Sequence, residues 1–307
     1  MKKRLLKWQL LLAFLCLTLF LTSPVSAEEL TIEDMAGREL VLEEGKVDKV
    51  VTLMPSDAEI LFAIGAGDTI IARGDYVDYP ADKVESIPSI TTGQEMNVEE
   101  IIAKDPQLVI ASKMSLSEDQ LKQLEDLGIK VFITDAQTIE EVYHSIELLG
   151  QLVGHEDEAS QLIEDMKASF KEYQDKASQK NLDSNSVYYE ISPIEFGLWT
   201  AGKNTFMDEL GNLLGLDNIF KDQDGFVEVS EEQVLKLNPS YIVTSFMTMD
   251  EGAPSAVDEI LGREAWADVA AVKDKKVFAA DNSSFTRPGP RLVDAMKSLY
   301  EFVYEEK

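Results

Sequence analysis

The segment HEDEASQLIEDMKASFKEYQDKASQK, residues 155–180, decides how this chain is organised. Its apolar residues recur every three or four positions, which places them on one stripe of an α-helix. They are Ala159, Leu162, Ile163, Met166, Phe170, Tyr173 and Ala177. Acidic residues open the segment and lysines stand near its end, as the helix dipole favours. Because neither Gly nor Pro interrupts it, we predict one rigid helix, about 35 Å long at 1.5 Å per residue.

Similar landmarks recur in the same order on either side of this helix. Two alignments hold over several residues, one at an offset of 133 positions and one at 146. They pair Glu99-Glu100-Ile101 with Glu232-Gln233-Val234, and Lys130-Val131-Phe132 with Lys276-Val277-Phe278. The interval from Glu59 to Gly65 is likewise repeated from Glu209 to Gly215. We infer a duplicated lobe, the alternative being a single large sheet with accidental similarities.

Each half alternates short β-branched runs with segments of helical periodicity. Such alternation is typical of a largely parallel sheet covered by helices. We therefore predict an α/β fold with two similar lobes, each with a central and mostly parallel sheet, joined by one long helix. The predicted divisions are a signal peptide (1–27), an N-terminal lobe (28–154), the interlobe helix (155–181) and a C-terminal lobe with a closing helix (182–307).

The first 27 residues have the pattern of an export signal. Basic residues precede an apolar run from Leu10 to Leu21, and small residues at 25–27 suit cleavage after Ala27. Cys16, the chain's only cysteine, follows bulky Leu15, whereas a lipid-anchor signal needs small residues there. We expect an exported, extracytoplasmic protein without a lipid anchor; the alternative is an uncleaved membrane anchor.

Composition limits the partners. The net charge is −29, and the predicted signal carries four of the 28 basic residues and no acid, so cleavage takes the charge to −33. A nucleic-acid partner is excluded because a phosphate backbone demands a basic surface. A basic protein surface is the more compatible partner.

Two α/β lobes joined by a long helix leave a cleft, and ligands of open α/β sheets bind beyond the carboxyl ends of the strands. The loops at those ends mix cations with aromatic residues. Four cations suit an anionic chelate and four aromatics suit flat ligand faces. The ligand-binding candidates are Arg73, Lys113, Arg287 and Arg291, together with Tyr76, Trp199, Phe246 and Phe285. The alternative for each is a surface cation or a core aromatic.

An enzymatic function is disfavoured. The two histidines, His144 and His155, fall away from the predicted cleft loops, and no Gly-x-Ser-x-Gly turn accompanies them. Two scattered histidines do not supply a zinc or manganese site. No phosphate-binding or dinucleotide-binding glycine motif follows a strand. We therefore predict no catalytic residue, no bound metal and no resident cofactor.

Short motifs in a characteristic order extend over the whole predicted mature chain. They are Asp34-Met35-Ala36-Gly37-Arg38, Val50 to Pro55 with Glu59-Ile60-Leu61, Asp78-Tyr79-Pro80, Asn97-Val98-Glu99, Asn218-Ile219-Phe220, Ser230-Glu231-Glu232 and Arg287-Pro288-Gly289-Pro290-Arg291. They resemble the substrate-binding proteins of the iron-siderophore, haem and cobalamin ABC importers. The resemblance implies extracytoplasmic capture of a metal chelate and its delivery to membrane permease subunits. We expect a monomer.

The resemblance also gives the repeated glutamates a role. In this family a glutamate at a helix start in each lobe docks against arginines of the permease, and Glu99 and Glu232 stand at those places. Glu100 and Glu231 are close competitors. The alternative is that these acids simply begin helices, where the dipole favours a carboxylate.

The resemblance leaves several ligands open. A ferric siderophore is favoured by the cations and Trp199. The runs 76–80 and 93–99 look like those of cobalamin binders, but Gly93 and Gln94 stand where such binders can carry an aromatic residue. Haem binders often supply a His, Tyr or Met axial ligand, and Met96 could serve. An oxyanion is a further alternative.

Overall fold

The computed structural model describes residues 29–43, 45–93, 96–246 and 254–305. The predicted signal peptide lies outside these residues. Within the part that is described, no helix has the length and apolar character needed to cross a membrane.

The N-terminal lobe is built on a five-stranded parallel sheet with the order β5-β4-β3-β6-β7. Its strands are β3 (Val50–Thr52), β4 (Ile70–Gly74), β5 (Ser89–Ile90), β6 (Leu108–Ala111) and β7 (Lys130–Ile133), preceded by an antiparallel pair, β1 (Leu30–Glu33) and β2 (Glu39–Leu42). Its helices are α1 (Pro55–Ala63), α2 (Ala81–Val84), α3 (Val98–Ile102), α4 (Glu118–Asp126) and α5 (Ile139–Val153).

The C-terminal lobe has a four-stranded parallel sheet with the order β10-β8-β12-β13 and a separate antiparallel pair, β9 with β11. Its strands are β8 (Ser186–Glu190), β9 (Leu198–Ala201), β10 (Asp217–Asn218), β11 (Phe226–Val229), β12 (Tyr241–Thr244) and β13 (Val277–Ala279). Its helices are α7 (Phe206–Leu213), α8 (Glu231–Leu237), α9 (Ala256–Leu261), α10 (Ala270–Lys273), α11 (Asn282–Thr286) and α12 (Leu292–Tyr304).

One helix, α6 (Glu156–Ser178), connects the lobes without interruption, and we call it the strut. Five members of its predicted apolar stripe are buried, and the other two, Leu162 and Tyr173, are partly buried against the same core. The closing helix α12 lies against the strut, with the rings of Tyr300 and Tyr173 5.4 Å apart. The predicted long helix and its apolar face are therefore confirmed.

The two lobes share a strand order as well as a sequence pattern. Strands β3, β6 and β7 lie side by side in one sheet, and β8, β12 and β13 lie side by side in the other. Strands β6 and β12 occupy positions related by the predicted offset of 133 residues. These observations confirm the α/β fold with two similar lobes, while the residue boundaries of the lobes remain a division proposed from the sequence.

Prolines stand at or near the ends of two elements. Helix α1 begins at Pro55, since the fixed φ of proline suits the first helical position and no N–H is needed there. Strand β8 ends at Glu190, three residues before Pro193.

Candidate ligand-binding site

A cavity of about 290 Å³ lies between the lobes, at the carboxyl ends of strands β3, β6 and β7. The N-terminal lobe contributes the residues that follow these strands and one residue of α5. They are Met54, Ser56, Asp57, Ser112, Met114, the run 134–137 and Ser145. The C-terminal lobe contributes Phe206, Phe226, Thr286 and Pro288. The lining thus combines hydroxyls, carboxylates and apolar side chains from both lobes.

Asp57 is the most deeply buried acid of this lining, at 2% exposure. Its Oδ2 accepts a hydrogen bond of 2.8 Å from the Thr134 hydroxyl. Burial raises the pKa of Asp57 to about 7, and the bond from Thr134 offsets this only in part. Near neutral pH this carboxyl can therefore either accept or donate a hydrogen bond.

Four charged residues join the lobes beside the cavity, and we call them the ionic edge: Glu59, Asp78, Arg287 and Arg291. The side chain of Glu59 on α1 is 2% exposed and accepts bonds of 2.8 and 2.5 Å from Arg291 and one of 3.1 Å from Arg287. Arg287 also binds both oxygens of Asp78, at 2.6 and 3.2 Å, which lowers the pKa of Asp78. The guanidinium of Arg291 stacks on Tyr79, 4.3 Å from the ring centre. Both arginines are thereby fixed to the opposite lobe.

A second contact between the lobes uses peptide groups, and we call it the backbone edge: Gln137, Ile139, Phe206 and Glu209. The N–H of Phe206 donates to the carbonyl of Gln137 at 2.6 Å. The N–H of Ile139, at the start of α5, donates to Glu209 Oε2 at 2.6 Å. Burial raises the pKa of Glu209, and the bond from Ile139 opposes that shift. Since Gln137 and Phe206 line the cavity, this edge bounds it as well.

The cations predicted to bind ligand have other partners in the structure. Arg287 and Arg291 belong to the ionic edge. Lys113 forms an ion pair with Asp135 at 3.1 Å. Arg73 donates to the carbonyls of Val84 and Gly74 in its own lobe, at 3.0 and 3.3 Å. None of the four is among the residues that line the cavity.

The aromatic candidates divide by burial. Phe285 is only 1% exposed and packs near Tyr189, with ring centres 6.2 Å apart, so the structure corrects its assignment as a ligand face. Phe246 is partly buried against the core of the C-terminal lobe. Tyr76 and Trp199 are exposed, Trp199 on strand β9 at 40%. Whether these two exposed rings meet a ligand stays a prediction.

Met96, the haem-ligand candidate, lies in a buried cluster of the N-terminal lobe with neighbours such as Val98 and Ile101. Met96 is 7% exposed and is not among the residues that line the cavity. His144 lies near Glu147 and His155 near Glu158, both on helix surfaces. In the described ranges, no group of three or more His, Cys, Asp or Glu is placed to hold a metal ion.

Several lining residues were missed by sequence reasoning. The run 134–137 follows strand β7 directly, so the rule for strand ends would have found it had it been applied to that strand. Asp57 and Phe206 lie in the first turns of α1 and α7. No local signal distinguishes them from ordinary residues of a helix start.

The repeated glutamates occupy matching positions at two helix starts. Glu99 is the second residue of α3 and Glu232 the second residue of α8, after N-caps Asn97 and Ser230. Both glutamates are exposed. The competitor Glu231 is engaged, because its carboxylate accepts a bond of 2.7 Å from the indole N–H of Trp266. In the C-terminal lobe, Glu232 is therefore the freer of the two acids.

A family model described as periplasmic binding protein matches residues 50–283, well over half of the chain. The chain belongs to this family. The resemblance inferred from its motifs is thereby confirmed.

Relatives of this binding protein are found among curated proteins and solved structures. An uncharacterized ABC transporter substrate-binding lipoprotein, YvrC of Bacillus subtilis, is 38% identical over 282 residues, covering 90% of this chain and 86% of YvrC. A vitamin B12-binding protein of Yersinia pestis is 29% identical over 261 residues, covering 85% and 88%. A possible iron-binding, periplasmic solute-binding protein of Staphylococcus epidermidis is 30% identical, with a TM-score of 0.72 over 85% of this chain and all of the other.

Proposed function

We propose that this protein captures a ferric siderophore outside the cytoplasm and delivers it to the permease of an ABC importer. The observation that carries the proposal is the cavity between two lobes of this family's fold, lined by hydroxyls and apolar groups from both lobes and by two carboxylates from the N-terminal lobe. Such a lining suits a compact chelate with polar and apolar faces. The relative from Staphylococcus epidermidis, described as possibly iron-binding, supports iron as the metal.

A corrinoid is the second candidate. The Yersinia relatives at 29% identity are named vitamin B12-binding proteins, and their similarity extends over 85% of this chain. Haem is less favoured, because Met96 is buried in the core of the N-terminal lobe.

Titration of the purified protein tests the capture function. Ferric siderophores, cyanocobalamin and haemin are added while tryptophan fluorescence is followed. Trp199 is 40% exposed and Trp266 is fully buried, so a change should come from Trp199, and a Trp199→Phe variant is the matched control. Absence of micromolar binding to every one of these compounds would disprove the capture function.

We also propose that Glu99 and Glu232 dock the protein on the permease. Their support is their equivalent place in the two lobes, their exposure and the rigid strut that keeps the lobes apart. Two similar acidic points can address two subunits of one permease.

Glu99→Ala combined with Glu232→Ala tests the docking. The double variant should fold and bind ligand like the parent, because exposed carboxylates contribute little to stability. It should fail to support uptake in cells. The control is Glu118→Ala with Glu156→Ala, which removes the same charge from two other exposed helix starts. Weaker ligand binding with unchanged uptake per bound ligand would place Glu99 in the cleft instead.

We propose export with cleavage after Ala27. The support is the order of basic, apolar and small residues in 1–27. The mass of the protein recovered from its native host tests this, and a mass that retains residues 1–27 or carries a lipid on Cys16 would contradict it.

A further inference from the structure

Among the described residues, the cavity lining is acidic and holds no basic side chain. Its ionisable residues are Asp57 and Asp135, and the remaining polar side chains carry hydroxyls and one amide. The internal positions outside the described residues, 44, 94–95 and 247–253, contain four acids and no Lys, Arg or His by sequence. These positions therefore add no basic side chain to the cavity.

Two arginines beside the cavity are already paired with a buried carboxylate. Arg287 and Arg291 both bind Glu59, a carboxylate with 2% exposure. Turning either guanidinium toward a ligand would weaken the compensation of this buried charge. Breaking a buried pair by removing one partner is strongly unfavourable, because it leaves the other charge uncompensated. A ligand that required these arginines would have to offset that loss.

Three other cations of the described residues also have partners. Lys113 neutralises Asp135 at the rim of the cavity, at 3.1 Å. Arg263 is bound by Glu190 and Glu259, each at 2.6 Å. Arg73 is held by two backbone carbonyls of its own lobe and is not part of the lining.

We infer that this cleft selects a chelate without net negative charge, either neutral or cationic. This rests on the proposed function and narrows it. A neutral or cationic chelate whose rim carries N–H or O–H groups can donate to the carboxylates and hydroxyls of the lining. A complex with several negative charges would face Asp57 and the Lys113–Asp135 ion pair, and no unpaired cation stands among the described residues that line the cavity.

Calorimetric titration with ferric probes of different charge tests this. The probes are ferric desferrioxamine B, a cationic trihydroxamate; ferrichrome, which is neutral; and ferric enterobactin, a tris-catecholate with three negative charges. We expect measurable binding of at least one of the first two, and affinity for the catecholate at least about a hundredfold weaker, because like charges suppress a wrong partner. Catecholate binding as tight as, or tighter than, that of both hydroxamates would overturn the inference.

Variants test whether the charge or the shape of a probe sets its affinity for the cleft. Asp57→Asn with Asp135→Asn should reduce the preference against the catecholate about tenfold or more, while Glu118→Gln, which changes an exposed acid outside the lining, should leave it unchanged. Asp78→Asn partly releases Arg287 and should shift the preference in the same direction. An unchanged preference in both sets would show that shape, and not charge, discriminates, and would overturn the inference.

Two further outcomes are decisive. Tight catecholate binding that Arg73→Gln abolishes would identify Arg73 as a cation that the inference excludes. If neither these probes nor cyanocobalamin and haemin bind, the proposed function fails and the inference fails with it. If only the anionic probes bind, the capture function stands and the charge selection alone is wrong.

Discussion

The ionic edge and the backbone edge each contain a glutamate at an equivalent position of its lobe, but the two glutamates bind different kinds of partner. Glu59 and Glu209 each lie six residues before a glycine in the left-handed region, Gly65 at φ +79° and Gly215 at φ +75°. Each reaches from the first long helix of its lobe to the other lobe. Glu59 meets two guanidinium groups, whereas Glu209 meets the peptide N–H of Ile139.

The difference shows how a repeated position can serve two kinds of contact. The ionic edge depends on four particular side chains, so a substitution can remove it. The donors of the backbone edge are peptide N–H groups, which any residue type except proline would keep, and the side chain of Glu209 supplies one of its two acceptors. The two edges should therefore respond very differently to matched changes.

The largest effect is expected when the ionic edge loses both of its cations. Arg287→Ala with Arg291→Ala leaves the buried carboxylate of Glu59 unpaired, and we expect the free energy of unfolding to fall by about 3–5 kcal/mol. Chemical denaturation measures the loss. The control is Lys221→Ala with Lys273→Ala, which breaks two exposed ion pairs and should cost under about 1 kcal/mol. Similar losses in both double variants would show that the ionic edge does not stabilise the fold.

A second test uses Asp57, which lines the cavity beside the two edges. Its pKa is raised to about 7, so the folded protein keeps a proton that the unfolded chain releases above its ordinary value of 3.8. Stability should therefore fall as the pH rises from about 4 to 7, and then level off. The Asp57→Asn variant has no carboxyl to titrate at this position, so its stability should not show this fall. Its free energy of unfolding should be close to that of the parent at pH 4 and higher at pH 8 by on the order of 4 kcal/mol, as chemical denaturation at the two pH values measures. A constant difference across this pH range would contradict the assignment.

A matched pair of isosteric changes compares the edges directly. Glu59→Gln removes the charge that faces two arginines and should cost about 2 kcal/mol, the range for hydrogen bonds to charged groups. Glu209→Gln keeps a carbonyl oxygen for the N–H of Ile139 and should cost under about 1 kcal/mol. Denaturation of both variants at pH 7 measures the difference. Equal losses would show that the charge of Glu59 contributes no more to stability than the charge of Glu209 does.

The smallest effect concerns motion of the lobes. Because the strut has no Gly or Pro to absorb a large dihedral change, the lobes should rotate little on binding. Small-angle scattering with and without ligand should give the same radius of gyration within error. A marked compaction would show that the edges, and not the strut, set the distance between the lobes.

The sequence predicted the fold well because its signals are local. The spacing of apolar residues located the strut, and the paired runs Lys130-Val131-Phe132 and Lys276-Val277-Phe278 fall at β7 and β13. The rule for strand ends also led to Lys113 and Arg287, whose neighbours in the chain line the cavity.

The predicted site chemistry was less successful, because it depends on pairs that are distant in the chain. Glu59 lies 228 residues from Arg287 and 232 from Arg291, so nothing local indicates that both arginines are neutralised. Phe285 follows strand β13 as a loop residue would, yet it lies in a short helix whose inner side faces the core. Charge compensation and burial of this kind are set by tertiary packing.

Because the two edges differ in chemistry, one side of the cleft should open before the other. Water can replace a guanidinium at Asp78, which is 61% exposed, one contact at a time. The N–H groups of Ile139 and Phe206 stand at the first positions of their helices, so their release breaks no hydrogen bond within a helix. Departure of both arginines would instead leave the buried carboxylate of Glu59 uncompensated, so separation should begin at the peptide groups and reach the arginines last. A chelate would therefore enter and leave past Phe206, on the side of the molecule where the lobes are held by peptide N–H donors.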